Sequence, residues 1–211
     1  MTGNASGKSW SGDFPADFAF PNASPAGREA LRMLLTRYSV SGKHLGPPGP
    51  SDDEIWTLAL AALRAPDHNK RIPFRLVVAR GAGLERLANL FEEYGRRRGR
   101  TGVELAQERA RALQAPMTIA VVARINADDP EVPVFEQWAC VGGAISNALT
   151  ALHLMGYAGK MLSGARACDP AIVAAHCGDG ETLVGWIAAG TPTGPINPRG
   201  DVDPGCVLRE F

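Results

Sequence analysis

The sequence has no excess of charge of either sign and no apolar run long enough to cross a membrane. Its 211 residues include 22 Lys and Arg and 22 Asp and Glu, so the formal net charge is zero. A balanced chain is not drawn over long distances to nucleic acid or to anionic membranes, and a membrane span needs about 20 apolar residues. The first residues also lack the apolar core of a secretory signal. We therefore expect a cytoplasmic protein with neither a nucleic-acid nor a membrane partner.

Several motifs of enzyme chemistry are missing as well. The four cysteines form no C-x-x-C pair and the four histidines do not pair at metal-ligand spacing, so no metal site is predicted. The chain has neither a G-x-S-x-G sequence nor a phosphate-binding G-K-[ST] loop. Gly81-Ala82-Gly83 lies between a strand and a helix, but Arg86 occupies the place of the third glycine of a dinucleotide-binding loop. A plain strand-turn-helix connection is the favoured interpretation there.

What the chain does contain predicts one domain of the α+β or mixed-sheet α/β class. Its length suits a single core, and 45% of its residues are hydrophobic. Apolar periodicity predicts helices at 26–38, 51–66, 84–94, 103–113, 134–157 and 169–178, and strands at 74–79, 117–122, 160–162 and 183–189. The second helix has a capping box, with Ser51 at its N-cap and Glu54 three residues on. Helices come first and no simple βαβ repeat follows.

The predicted helix at 134–157 is apolar nearly all round, which is typical of a helix buried in a core or an interface. Gly142 and Gly143 lie inside it, where each costs about 1 kcal/mol relative to alanine. Close approach of another helix or of a ligand would explain both glycines.

Two polar clusters stand where helices end. Arg37-Tyr38-Ser39 ends the first helix, and an arginine beside a hydroxyl and backbone N–H groups suits a phosphate. Arg64-Ala65-Pro66-Asp67-His68 lies at a helix-to-strand junction, where functional sites often occur. The alternative for this second cluster is a helix C-terminus that is stabilised by Arg and His.

Taken in order, these pieces resemble the small, short-chain members of the FMN-dependent nitroreductase family. The resemblance runs from about residue 26 to residue 192. It rests on the two polar clusters, Pro73-Phe74-Arg75-Leu76-Val77-Val78, Ala115-Pro116, the long apolar helix, Gly156-Tyr157-Ala158-Gly159 with Met161-Leu162-Ser163-Gly164, and Gly185-Trp186 through Gly190-Thr191-Pro192.

The resemblance implies a three-layer α+β fold, in which helices flank a mixed, mostly antiparallel sheet. Residues 1–25 would form a flexible N-terminal arm, 26–192 the FMN-binding domain, and 193–211 an extended arm swapped onto the partner of a homodimer. FMN would lie in the dimer interface. By resemblance, Arg37, Tyr38 and Ser39 contact its phosphate and ribityl chain, Arg64 and His68 reach the same flavin from the other subunit, and Met161, Leu162 and Ser163 pass beside it.

The activity implied by the resemblance is hydride transfer from NADH or NADPH through FMN to a nitroaromatic, a quinone or a similar small acceptor. The flavin carries this chemistry, so no catalytic side chain is predicted. This sequence differs from the family pattern at some of these positions. Tyr38 stands where the family has a second arginine, and Met161 and Leu162 stand where it has aromatic and basic residues. Lys43 or Arg199 could supply positive charge near the phosphate instead. These differences leave an alternative, a non-catalytic flavin or small-ligand binding protein on the same dimeric fold.

Overall fold

A single sheet runs through the computed structural model, which describes residues 22–194 and 204–209. In the described chain its five strands are β1 (Leu45–Gly46), β2 (Phe74–Arg80), β3 (Met117–Ala123), β4 (Ala158–Leu162) and β5 (Thr182–Pro192). β3 lies between β2 and β5, and the other edge of β5 pairs with β4 and then with β1. Every strand pair is antiparallel, and a single bridge between Ser39 and Gly159 is parallel.

Helices cover both faces of this sheet. They are α1 (Pro25–Thr36), α2 (Asp52–Ala62), α3 (Ala82–Arg97), α4 (Gly102–Ala112), α5 (Val134–Leu154) and α6 (Pro170–Ala174). α2 and α5 pack on one face, over a core that includes Leu58, Val141, Ile119 and Ile187. α3 and α6 pack on the other face, over Phe91, Ile172, Val122 and Trp186. The arrangement confirms the expected three-layer α+β fold.

The local signals explain where several elements lie. β3 is buried along its whole length, as its sequence, apolar apart from Thr118, predicts for a strand covered on both faces. At the start of α2, the Ser51 hydroxyl accepts from the Glu54 N–H at 3.3 Å, and the Glu54 carboxylate accepts from the Ser51 N–H at 2.8 Å. The predicted capping box is therefore present.

Several predicted boundaries were wrong. α1 ends at Thr36 and α2 at Ala62, so the Arg37 and Arg64 clusters lie beyond the helices. α5 and α6 end at Leu154 and Ala174, earlier than expected. β5 continues to Pro192 because its last residues pair with β1. β1 has only two residues, too few to show the alternation of apolar and polar residues that predicts a strand.

The expected arms fall largely outside the described residues. Residues 1–21, 195–203 and 210–211, which include Arg199, lie there. The flexible N-terminal arm and the swapped C-terminal arm therefore stay predictions. Among residues 22–194 and 204–209, no helix combines the length and the hydropathy needed to cross a membrane.

Candidate active site

The segment that follows α1 lies beside β4. Ser39 forms its parallel bridge with Gly159, and the Val40 N–H donates to the Gly159 carbonyl at 3.3 Å. A Cβ at residue 159 would lie 2.9 Å from Leu152 Cδ1 and 3.0 Å from the Ala188 carbonyl, so only glycine allows this close approach. The structure thus brings Arg37, Tyr38 and Ser39 to the strand that was predicted to line the flavin.

Arg37 has a guanidinium nitrogen with no protein partner. Within the described residues, Nη1 is buried and makes no hydrogen bond. A buried donor without a partner costs about 1–3 kcal/mol, and arginine remains charged at all ordinary pH values. An anionic group bound beside Arg37 would satisfy this donor.

A cavity of about 260 Å³ opens where β4 ends, on the face of the sheet that α3 covers. Its apolar walls include Phe91 and Trp186, whose rings meet edge to face with centroids 5.4 Å apart. Polar groups complete the lining: Arg111, Gln114, Thr118, Ser163 and Arg166. Mostly apolar walls with a few polar side chains suit a planar ring system that has polar edges.

The segment that follows α1 contacts one residue of the cavity wall. A Cβ at residue 42 would lie 3.0 Å from the Cβ of Gln114, so Gly42 runs directly along a cavity residue. Leu162 and Ser163 line the cavity from β4. Met161 does not, because alternate side chains of a strand point to opposite faces and Met161 packs against the core beneath α5.

Arg111, Gln114, Arg166 and Trp186 were missed as site residues by the sequence analysis. Arg111 and Gln114 lie at and just after the end of α4, and Arg166 follows the turn at Gly164. One signal was present: Arg111 and Glu108 stand three residues apart on one helix, a spacing at which opposite charges meet. Nothing in the sequence shows that this pair faces a cavity.

His68 lies near the start of α5, at the opposite end from the Arg37 segment, and the turn that carries Arg64 packs at the middle of the helix. The turn after α2 packs on α5, where a Cβ at residue 143 would be 3.2 Å from the Ala65 Cβ. His68 Nδ1 lies 2.9 Å from a carboxylate oxygen of Glu136, near the start of α5. Gly143 thus has the packing role expected of it, whereas a Cβ at Gly142 would meet nothing within 4 Å in this chain.

The two clusters are therefore not brought together within one chain. At the far end of α5, Thr36 Oγ1 lies 3.5 Å from His153 Nε2. At 1.5 Å of rise per residue, Glu136 and His153 are about 25 Å apart along the helix. Arg64 is exposed, and its side chain makes no hydrogen bond or ion pair within residues 22–194 and 204–209.

The loop that carries His68 has an unusual backbone. Asn69, Lys70 and Ile72 have φ values of 58°, 54° and 47°, and a positive φ is rare for a β-branched residue. The Asp67 carboxylate accepts from the N–H groups of Arg71 at 3.1 Å and Ile72 at 2.8 Å, which holds the loop in place. Such strain is concentrated at functional sites.

A hydrogen bond ties the start of β4 to α2. The Tyr157 hydroxyl donates to the Glu54 carboxylate at 2.9 Å. Hydrogen bonds from the Ser51 backbone and hydroxyl, and then from Tyr157, lower the pKa of Glu54, and the same contact raises the pKa of Tyr157. The carboxylate thereby links the capping box to the segment that leads into the cavity strand.

Comparison with known proteins identifies the family. The sequence model of the Nitroreductase family matches residues 34–191. The chain is also 30% identical over 165 residues to "Putative NAD(P)H nitroreductase YdjA" of Escherichia coli (strain K12), across 78% of this chain and 88% of that protein. The chain belongs to the nitroreductase family.

Solved structures of nitroreductase-like proteins have the same fold. A nitroreductase-like family protein of Bacillus cereus aligns with a TM-score of 0.70 at 18% identity, covering 86% of this chain and 95% of that one. A Desulfovibrio desulfuricans protein, solved in complex with FMN, aligns with a TM-score of 0.64 at 18% identity, covering 90% of this chain and 98% of that one.

Proposed function

We propose that this member of the nitroreductase family is an FMN-dependent oxidoreductase that uses NADH or NADPH to reduce a nitroaromatic, a quinone or a similar small acceptor. The observation that carries the proposal is the cavity beside Leu162 and Ser163, whose aromatic wall and two guanidinium groups suit a flavin ring. The name of the Escherichia coli relative and the FMN in the Desulfovibrio structure support the same cofactors.

In this proposal the segment that follows α1 holds the phosphate and ribityl chain. The unpartnered Nη1 of Arg37 supplies a charged donor, and the backbone of Ser39 is bridged to Gly159 of β4. Leu162 and Ser163 border the ring. Met161 contributes its backbone alone to that border, because its side chain packs on the other face of the sheet.

A homodimer would bring Arg64 and His68 to this site. The described chain exposes an apolar stripe along α5, with Phe135 70% and Trp138 39% exposed, and α2 adds Trp56 at 71%. Ala139, Gly142 and Ser146 continue the stripe with small side chains. Antiparallel packing of two α5 copies about a two-fold axis would bury it and bring the His68 end of one chain, with Arg64 nearer the middle of the helix, toward the Arg37 end of the other.

A bound FMN would supply the chemistry that carries electrons from the nicotinamide to the acceptor. The side chains of the protein hold the ring, exclude water through Phe91, Leu87 and Trp186, and provide positive charge through Arg111 and Arg166. The cytoplasm is the proposed location, since all four cysteines are unpaired, as is usual in a reducing compartment.

Absorbance of the purified protein tests the proposal, with and without added FMN and then with NADH or NADPH. Flavin bands that bleach with either nucleotide would support a flavin reductase. Bands that persist would favour the alternative, a non-catalytic flavin-binding protein on the same fold. A protein that stays colourless after reconstitution with FMN would contradict the proposed function and would leave, of the alternative, only a protein that binds another small ligand.

A further inference from the structure

The carboxylate of Glu108 is completely buried and gathers three arginines. Its side chain is 1% exposed and forms ion pairs with Arg100, Arg111 and Arg166. The contact with Arg166 is a two-point fork, in which Nε donates to Oε2 at 2.7 Å and Nη2 donates to Oε1 at 2.8 Å. A planar fork of this kind fixes the orientation of a guanidinium as well as its position.

The packing of α4 on α3 explains why this carboxylate is buried. Glu108 lies on the face of α4 that meets Gly95 of α3, where an added Cβ would be 3.2 Å from Glu108 Cγ and 2.9 Å from Leu105 Cδ2. The absence of a side chain at residue 95 lets the helices approach and shuts the carboxylate off from water. A buried carboxylate is costly unless hydrogen bonds and opposite charges replace its contacts with water, and the arginines supply both.

Two of these three arginines line the cavity at the end of β4. They are Arg111 and Arg166, whereas Arg100 is not among the lining residues. Aromatic rings further restrict Arg166, because its guanidinium carbon lies 5.4 Å from the ring centroid of Phe91 and 5.5 Å from that of Tyr94. One carboxylate faces three permanent positive charges, so positive charge remains in excess along this wall.

We propose that Glu108 is a positioning residue that holds Arg166 and Arg111 against the cavity wall, so that the cavity binds reduced FMN more tightly than oxidised FMN. This inference rests on the proposed function. Reduction adds negative charge to the flavin, and guanidiniums held nearby in a site shielded from water favour the more negative form. We call Glu108 with the two arginines that it holds, Arg111 and Arg166, the clamp. The bound flavin therefore has a higher reduction potential than it would have without the clamp.

The clamp and a simple charge effect predict opposite results for Glu108→Gln. If Glu108 acted only through its own negative charge, its removal would leave the cavity more positive and would raise the flavin potential. If Glu108 acts by holding the arginines, its removal frees them to turn toward water and lowers the potential, as deletion of an arginine does. The sign of the change therefore separates the two roles.

The experiment measures the affinities of oxidised and reduced FMN, whose ratio sets the potential of the bound flavin. Arg166→Gln is expected to reduce the preference for reduced FMN about tenfold, which is about 30 mV for a two-electron couple. Glu108→Gln should shift the potential in the same direction. Arg100→Gln is the matched control, because it removes a partner of the same carboxylate that does not line the cavity, and its shift should stay below about twofold in the affinity ratio.

Arg166→Lys completes the series, because it keeps the positive charge but lacks the fork that Glu108 holds. A lowered potential in this variant supports the clamp even if Glu108→Gln does not fold. The inference is overturned if the flavin potential is raised or unchanged in Glu108→Gln. If Glu108→Gln does not fold, an unchanged potential in Arg166→Lys overturns it instead. In both cases the proposed flavin function still stands. If the unaltered protein binds no FMN in either redox state, the proposed function fails and this inference fails with it.

Discussion

Gly185 of β5 lies directly against the backbone carbonyl of Leu162 in β4. Its φ of 147° is a conformation that residues with a side chain rarely adopt, and a Cβ there would overlap the Leu162 oxygen. The same Cβ would lie 2.9 Å from Met161 Cε and 3.1 Å from Ser163 Cβ. Because Leu162 and Ser163 line the cavity, Gly185 determines where this wall of the site stands.

Gly185→Ala should therefore lower the free energy of unfolding by about 2–4 kcal/mol, through backbone strain and overpacking. FMN affinity should fall with it, because β4 must move. Urea unfolding measures the first effect and flavin titration the second. Gly83→Ala is the matched control: a Cβ there meets nothing closer than 3.5 Å, and the helical position favours alanine. Equal stability of the two variants would contradict this account of Gly185.

Sequence periodicity predicted the parts of the fold in which local chemistry and packing agree. β3 and α5 have long apolar patterns, and Ser51 with Glu54 marks the start of α2, so their existence and type followed from the sequence. β1 was missed because it is an element of two residues that exists through its pairing with β5. Strand pairing joins residues that are far apart in the sequence, so the sequence of a two-residue segment does not predict it.

The sequence predicted one part of the candidate site, the Arg37 segment and β4, but not the part that contains Glu108 and Arg166. The Arg37 segment and β4 stand out through their motifs, and the structure places them side by side. Glu108 and Arg166 belong to segments that are ordinary in sequence, and their ion pair joins residues 58 positions apart. Only the packing of α4 on α3 turns a helical glutamate into a buried group beside a cavity.

Arg64→Ala should weaken FMN binding about tenfold or more, the loss expected when one charge-assisted hydrogen bond is removed. The reason is the proposed reach of Arg64 into the site of the partner chain. Arg80→Ala is the control, since Arg80 is half-exposed at the end of β2 and pairs with the exposed Asp52, an interaction worth little. Flavin titration of both variants makes the comparison, and equal affinities would reject this placement of Arg64.

Phe135→Glu should dissociate the proposed dimer, raising the dimer dissociation constant about a hundredfold or more. Phe135 is 70% exposed in the described chain and lies on the α5 stripe, so a charge there would be buried against a second copy. Val103→Glu is a matched control: Val103 is 73% exposed and is likewise the second residue of its helix. Sedimentation equilibrium distinguishes them, and a monomeric unaltered protein or a dimeric Phe135→Glu variant would count against the α5 interface.

The pH dependence of stability should include a contribution from the ion pair between Arg75 and Glu181. Arg75 Nε donates to Glu181 Oε1 at 2.8 Å, joining β2 to the turn before β5. The hydrogen bonds from Arg75, and then the one from the Gly178 N–H, lower the pKa of Glu181 to about 2. The unfolded chain has an ordinary glutamate pKa of about 4.3, so the pair stabilises the fold above that pH, and the stabilisation is lost as the pH falls toward 2.

Glu181→Gln should therefore reduce stability at pH 7 and lose less further stability than the unaltered protein between pH 5 and pH 2. Urea midpoints at several pH values across this range provide the measurement. Glu104→Gln is the control, because the Glu104 side chain is exposed on α4 and makes no hydrogen bond or ion pair among the described residues. If the difference in unfolding free energy between Glu181→Gln and the unaltered protein stayed constant down to pH 2, the pair would not contribute to the pH dependence of stability as expected.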